Sequence, residues 1–510
     1  MLKIFINCFT NILMNLNLNT NMKSEASCLK LRYHAVVLIL LLTILTCADA
    51  TAQGTSGQVF KAGAATSVIT PNIGTTMNGN MKAIVIEQIH DETKARALVL
   101  DDGKTRLAMV VTDLCMVSKE VCDEAKQGAQ RITGIPVENI MISATHTHSS
   151  GTACGVFGSE PDKEYLEFLT VRIRDAIIRA NNNLAPARIG WGIGSEPTQV
   201  HNRRWMLKPG VTSLNPFGQS ETVKMNPGKN PDITEPAGPT DPGLPIISVQ
   251  TPEGRPIALF ANYSLHYVGG TGSGELSADY YGYFAERMKH LLDAENKEPA
   301  FVAMMSNGTS GDINNVVVRG PKGPEYGAYG KMQQVANVVA AEAYKVYQNI
   351  QYQNWISLSS VQRELTLGVR LPEKSDIDRA KGILARLNGS ERNTLEEAYA
   401  HETIMLSKYP KTVPVILQAF RLGDLAITAA PCEVFVEIGL EIKEKSPFKP
   451  SFMVSLANGY NGYLPTPEHH KLGGYETWRA RSSYLEVNAS TKITQNIFEM
   501  LAKLKLEQVK

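Results

Sequence analysis

An excess of charge of either sign is missing from this chain. Its 510 residues hold 51 lysines and arginines against 50 aspartates and glutamates, a formal net charge of +1. No block of like charge occurs either, which excludes the electrostatic footprint of a nucleic-acid binder. Cysteine is scarce, at 7 residues. None of them forms a C-x-x-C pair, which argues against a thiolate zinc site. No internal repeat, low-complexity linker or clean break is visible, so residues 53–510 read as a single domain. Long apolar runs are also rare. The prominent one, Ala35 to Cys47, is too short for a comfortable membrane span.

That run has its own meaning. Lys30, Arg32 and His34 precede it, and the small residues Ala48-Asp49-Ala50 and Ala50-Thr51-Ala52 follow. A basic start, an apolar centre and an A-x-A site describe a secretory signal peptide. Residues 1–52 are therefore expected to be an N-terminal extension plus signal, with Met22 an alternative start. Cleavage falls near Ala50 to Ala52, and the mature protein is secreted or periplasmic without an integral membrane span. Leu45-Thr46-Cys47 fits a lipoprotein box poorly. Export permits disulfides among Cys115, Cys122, Cys154 and Cys432, and sequence does not choose among the pairings.

What is present is an irregular alternation of strands and helices, with 40 glycines and 26 prolines implying long loops. Hairpins are expected at Ala95–Leu100 with Leu107–Thr112, at Ile246–Gln250 with Ile257–Tyr263, and at Val415–Leu422 with Leu425–Ala429. Helices are expected from Ser118, Asp162, Tyr280, Gly330 and Thr491. A helical hairpin spanning about 375–410 reads as a surface insertion turning at Asn388-Gly389. Lys208 to Pro245 reads as a long loop without periodicity, and Glu433 as the first turn of a helix opened by Pro431-Cys432. The fold class is α/β, with mixed sheets flanked by helices.

Reactive side chains recur where an apolar strand gives way to a glycine-rich loop. Met141 to Gly151 (M-I-S-A-T-H-T-H-S-S-G) carries His146 and His148. Two apart on a strand, they would share a face. His266, Asp312, Glu433 and Tyr463 stand in similar places. Strand ends of α/β sheets are where ligands bind, and two histidines with a carboxylate make an open zinc site. Taken singly, each has a plainer use: local bonding for the histidines, a helix-dipole position for Glu433, a turn or cap for Asp312, packing for Tyr463.

Together the stretches A-T-H-T-H-S, N-Y-S-L-H, S-A-D-Y-Y-G, S-N-G-T-S-G-D-I-N-N, A-P-C-E-V-F and N-G-Y-L-P-T-P-E resemble the catalytic domain of the neutral/alkaline non-lysosomal ceramidase family. The likeness runs from Gly63 to about Tyr475 and is nearest to its secreted bacterial members. The resemblance implies a neutral-ceramidase-like fold. It implies a Zn2+ cofactor held by His146, His266, Glu433 and Tyr463. It also implies His148, Arg203 and Tyr475 as catalytic residues. Two departures stand out. Asn314 occupies the position of the family's serine, where its amide can donate to an oxyanion but cannot act as a nucleophile. No sequence remains to form the family's C-terminal immunoglobulin-like domain.

The resulting expectation is a zinc-dependent amidohydrolase. It would use metal-activated water on an amide bond, of ceramide or another N-acyl lipid, and its partner would be a small-molecule or lipid substrate. Two alternatives stay open: hydrolysis of a different small amide or ester, and a non-catalytic metal-containing binding protein.

Overall fold

A computed structural model describes residues 58–320, 323–388 and 391–509. The proposed signal segment and Gly389 of the expected turn lie outside these residues.

The chain from Val59 onward is built three times on one plan: three antiparallel strands, a helix, a fourth strand parallel to the third, and a second helix. In the first unit β1 (Lys61–Val68), β2 (Lys94–Asp101) and β3 (Arg106–Thr112) form the meander. Helix α1 (Lys119–Thr133) then leads to β4 (Ile140–Ala144), parallel to β3, and α2 (Lys163–Asn182) follows. The second unit repeats this with β5 (Arg188–Ser195), β6 (Gly243–Gln250), β7 (Pro256–Tyr263), α3 (Asp279–Leu291), β8 (Val302–Asn307) and α4 (Gly330–Tyr347). The third unit begins with β9 (Leu358–Gly368) and carries an added helical hairpin, α5 (Lys374–Ala385) and α6 (Leu395–Leu406). It then completes the plan with β10 (Thr412–Leu422), β11 (Leu425–Ala429), α7 (Val436–Lys445), β12 (Ser451–Val454) and α8 (Ala489–Val509). The repetition is one of architecture and not of sequence. The plan is held by apolar strands whose residues are freely interchangeable, and the connections differ in length from unit to unit, so no sequence period survives.

Packing follows from this plan. One face of each sheet turns to a shared core that includes Leu98, Met109, Ile247, Phe260, Ile427 and Phe452. The opposite faces are covered by α1 and α2, by α3 and α4, and by α7 and α8. Each sheet therefore buries both faces, which explains strands read as continuous apolar runs.

The two ends of the sheets differ. Turns between the second and third strands are tight, as at Asp101–Arg106 and Leu422–Leu425. The first-to-second connections lie at the opposite end and are long: 69–93, 196–242 and 369–411. The parallel strand pairs also finish at that end, and every candidate site residue is found there.

Local caps match the sequence signals. The Ser118 side chain accepts from Val121 N, and Gly134 stops α1 at φ 71°. Asp162 caps α2. Other expectations change. The 208–245 stretch contains short strands, with Val223–Met225 and Ile233–Pro236 flanking Arg204–Leu207. Glu433 precedes its helix. Glu433–Val434 pairs in parallel with Tyr463–Leu464, and α7 starts at Val436, whose N–H is taken by Asp312 Oδ1 at 3.0 Å. The long edge strand β9 alternates half-exposed polar residues and carries no apolar run to mark it. Cys115, Cys122, Cys154 and Cys432 are all free thiols. Among the described residues no helix is long and apolar enough to cross a membrane.

Because Phe452 is fully buried where the three sheets meet, Phe452→Ala is expected to lower unfolding free energy by about 3–5 kcal/mol. Urea denaturation followed by circular dichroism checks this.

Candidate metal centre

His146 does not reach the site by extending β4. The strand ends at Ala144, and His146 adopts a left-handed conformation, φ 77°, with its N–H on the Leu114 carbonyl at 2.8 Å. A non-glycine residue held there signals strain kept for function. Its Nδ1 faces the Cys115 carbonyl oxygen at 2.7 Å. His266, three residues beyond β7, places Nδ1 2.9 Å from the Ser310 carbonyl oxygen. A carbonyl only accepts, so each Nδ1 carries the proton and each Nε2 presents a lone pair.

Those lone pairs meet. His146 Nε2 and His266 Nε2 are 3.0 Å apart, and Glu433 Oε2 lies 3.1 Å from the first and 3.8 Å from the second. All three side chains are buried, and Glu433 Oε2 accepts no hydrogen bond. Acceptors at this spacing repel one another unless positive charge, a proton or a cation, lies among them. Zinc–ligand bonds of about 2.0–2.1 Å in a tetrahedral array would put neighbouring donors roughly 3.3 Å apart. The residues therefore fit a divalent metal. Burial disfavours charge on His146, yet the Glu433 carboxylate outweighs it and pushes the imidazole well above its usual range. Burial, reinforced by Arg203 and His146, pushes His266 well below it.

A second grouping of potential ligands, Cys115, His146 and His148, overlaps the first. Two features disfavour it. His146 has already committed Nδ1 to the Cys115 carbonyl, with the thiol sulfur 3.7 Å away. Burial also raises the Cys115 thiol, keeping it neutral.

The remaining candidates surround the group. Glu433 Oε1 accepts from the Tyr460 hydroxyl at 2.8 Å. Tyr463, which burial and then Glu433 keep protonated, accepts from Arg203 Nη2 at 3.1 Å. Arg203 is itself buried. Its Nη1 lies 3.2 Å from His266 Nε2, Nη2 donates to the Gly311 carbonyl at 2.7 Å, and Nε donates to Glu476 Oε1 at 2.8 Å. His148 Nε2 is 3.2 Å from His146 Nε2, and its ring stacks on Tyr267 with centroids 3.7 Å apart. Gly79 passes so close that a Cβ there would lie 2.4 Å from the His148 ring. Tyr475 lines the same cavity, its ring 5.7 Å from that of Tyr463.

His146, His148, Arg203, His266, Glu433, Tyr463 and Tyr475 are thus brought together. Asn314 is not. It pairs in a two-residue strand with His201, its amide donates to Asn226 at 2.7 Å, and its oxygen accepts from Val316. Asp312 serves α7 and Asn202 instead of the cavity. Sequence reasoning passed over Glu476, which is fully buried between Arg203 and Arg204. Its signal was slight: an acid next to Tyr475 in a segment with no strand or helix pattern.

The family model for "Neutral/alkaline non-lysosomal ceramidase, N-terminal" matches residues 60–336. That segment contains His146, Arg203 and His266, while Glu433 and Tyr463 come from the third unit. The chain is 24% identical over 450 residues to neutral ceramidase of Pseudomonas aeruginosa, covering 76% of this chain and 64% of that protein. It is 24% identical over 264 residues to neutral ceramidase A of Dictyostelium discoideum, covering 48% of this chain and 34% of that protein. The chain therefore spans less than two thirds of the length of these relatives. The crystal structure of the Pseudomonas aeruginosa neutral ceramidase superposes with a TM-score of 0.67 at 21% identity, over 89% of this chain and 75% of that one. A ceramidase complexed with C2 gives 0.67 at 20% identity, over 88% and 76%. At these identities the superpositions establish the fold.

Two predictions follow from this geometry. His146→Ala and His266→Ala should each lose bound zinc in plasma emission analysis of the purified protein, and full occupancy in both would contradict the ligand assignment. Glu476 carries the second. Burial raises its carboxyl, but Arg204 and Arg203 together hold it below the ordinary value of 4.5. The resulting stability is present above about pH 4.5 and is lost as pH falls through the depressed value. Glu476→Ala should cost about 3–5 kcal/mol at pH 7, with the difference from the unchanged protein shrinking in acid denaturation curves.

Proposed function

Because the chain belongs to the neutral/alkaline non-lysosomal ceramidase family, we propose that it is a zinc-dependent hydrolase of the amide bond in N-acyl compounds, with ceramide in that substrate class. The observation that carries the reading is the convergence of His146 Nε2, His266 Nε2 and the otherwise unbonded Glu433 Oε2, with Tyr463 beside them. A divalent cation held there supplies Lewis acidity and water acidified toward neutral pH.

The chain's own groups supply the rest. Burial, with His146 and Arg203 adding to it, pushes His148 well below its usual range, so the imidazole is neutral. The Gly79 backbone bonds to its ring, and Nε2, 3.2 Å from His146 Nε2, faces the ligand group, where it can take a proton from the attacking water and pass it to the leaving nitrogen. Arg203 is fixed by Glu476 and the Gly311 carbonyl with Nη1 turned toward the ligand group. A positive donor held there stabilises negative charge developing on the carbonyl oxygen. Tyr475 offers a hydroxyl to the same space. Asn314 is not among the residues lining the cavity, and its amide is engaged by Asn226. That engagement favours a second reading, hydrolysis of a different small amide or ester in the same site. The signal-like residues from Lys30 to Ala52 support a location outside the cytoplasm.

Zinc-loaded protein should release carboxylic acid from N-acyl amides. His148→Ala should keep its zinc and lose about 10²–10⁴-fold in kcat. Absence of hydrolysis across a broad amide and ester panel, with zinc bound, would leave the non-catalytic metal-binding reading in its place.

A further inference from the structure

Two tyrosines follow β12 three residues apart, and their hydroxyls meet different partners. Tyr463 accepts from Arg203 Nη2. Tyr460 donates to Glu433 Oε1 at 2.8 Å. The two oxygens of a carboxylate share one carbon, so a bond that holds Oε1 sets where Oε2 points. Oε2 points at the histidines, 3.1 Å from His146 Nε2 and 3.8 Å from His266 Nε2, and accepts no hydrogen bond. The carboxylate is thus divided. One oxygen is engaged by a neutral donor, and the other is left for a cation.

The loop that carries Tyr460 is fixed on two sides. Toward the Glu433 segment, Ala457 N donates to the Ala430 carbonyl at 3.1 Å and Leu456 N to that of Cys432 at 3.0 Å. Asn461 N donates to the Pro431 carbonyl, and Glu433 N returns a bond to Gly462 at 3.0 Å. Toward β4, which leads to His146, Asn458 N donates to the Ile142 carbonyl at 2.7 Å, and Asn458 Oδ1 accepts from Ile142 N at 3.1 Å. Ala144 N donates to the Leu456 carbonyl at 3.1 Å. To make both sets the backbone turns left-handed at Leu456, φ 55°, and at Asn458, φ 65°. A leucine avoids that conformation and keeps it only where its surroundings impose it. One loop therefore sets Tyr460 against both the strand that delivers His146 and the segment that carries Glu433.

We propose that Tyr460 is a positioning residue for Glu433, holding Oε1 so that Oε2 is presented to the metal ion. This rests on the metal-site reading above and adds to it a residue that does not itself bind the ion. Carboxylates that ligate metals are themselves hydrogen-bonded, and losing such a partner costs about 10–100-fold in metal affinity.

Tyr460→Phe removes the hydroxyl and keeps the ring, so the variant is expected to fold. Tyr484→Phe is its companion. The Tyr484 hydroxyl accepts from Asn461 Nδ2 at 2.8 Å, so it anchors the same loop through a different residue. Zinc Kd is measured by chelator competition, and thermal unfolding of the metal-free proteins reads the packing of the loop. Tyr460→Phe should raise the zinc Kd about 10–100-fold, while Tyr484→Phe leaves it unchanged. Cobalt(II) in place of zinc reports its donors through its visible absorption, and that spectrum should change in Tyr460→Phe alone. An unchanged zinc Kd in Tyr460→Phe would overturn the proposal. An equal loss of affinity in Tyr484→Phe would also overturn it, since loop packing would then account for the effect. His146→Ala separates the two readings. Zinc affinity that does not depend on His146 would overturn the metal site and the proposal with it, whereas dependence on His146 without dependence on Tyr460 would overturn the proposal alone.

Discussion

The arrangement depends on two hydrogen bonds to backbone carbonyls. The Nδ1–H of His146 is spent on Cys115, and that of His266 on Ser310. Both imidazoles thereby turn Nε2 toward each other and toward Glu433 in a buried space. Such a cluster is unfavourable until positive charge enters it. The carbonyls that enforce this belong to backbone just beyond the ends of β3 and β8, so the site's chemistry is written into main-chain geometry as much as into side chains.

That geometry comes from the threefold plan. Each unit places the ends of its parallel strands at the same edge of the molecule, and each adds one long connection there. The first unit supplies His146, His148 and the Gly79 approach. The second supplies His266 and Arg203, and the third Glu433 and Tyr463. Opposite, the hairpins are short and tight, a division familiar from folds that keep stability at one face and chemistry at the other. The third connection is the most elaborated, and its helical hairpin reaches the cavity wall through Arg481 and Tyr399.

Residue patterns revealed some of this. His146, His148 and His266 were readable because an apolar strand running into small polar residues marks a strand end, and strand ends of such sheets carry ligands. The helices of α1 and α2 were readable from their caps. The repeat was not, because apolar strands constrain only hydrophobicity and not identity. Glu433 was recognised as a site residue but given the wrong local structure: Pro431-Cys432-Glu433 resembles a helix start, while its N–H is claimed by Gly462 across a two-residue parallel pairing. Glu476, Tyr267 and Gly79 act through packing or ion pairing with residues distant in sequence, and no local pattern announces them. Asn314 was placed by motif position, yet its amide is engaged by Asn226, a partner from the 208–245 stretch that looked structureless.

X-ray absorption at the zinc edge of the metal-loaded protein addresses the ligand group directly, because Cys115 lies so close to it. Coordination by His146, His266 and Glu433 with Tyr463 predicts nitrogen and oxygen neighbours alone, at about 2.0–2.2 Å. A sulfur neighbour at about 2.3 Å would assign the metal to the Cys115, His146 and His148 grouping and contradict the site described above.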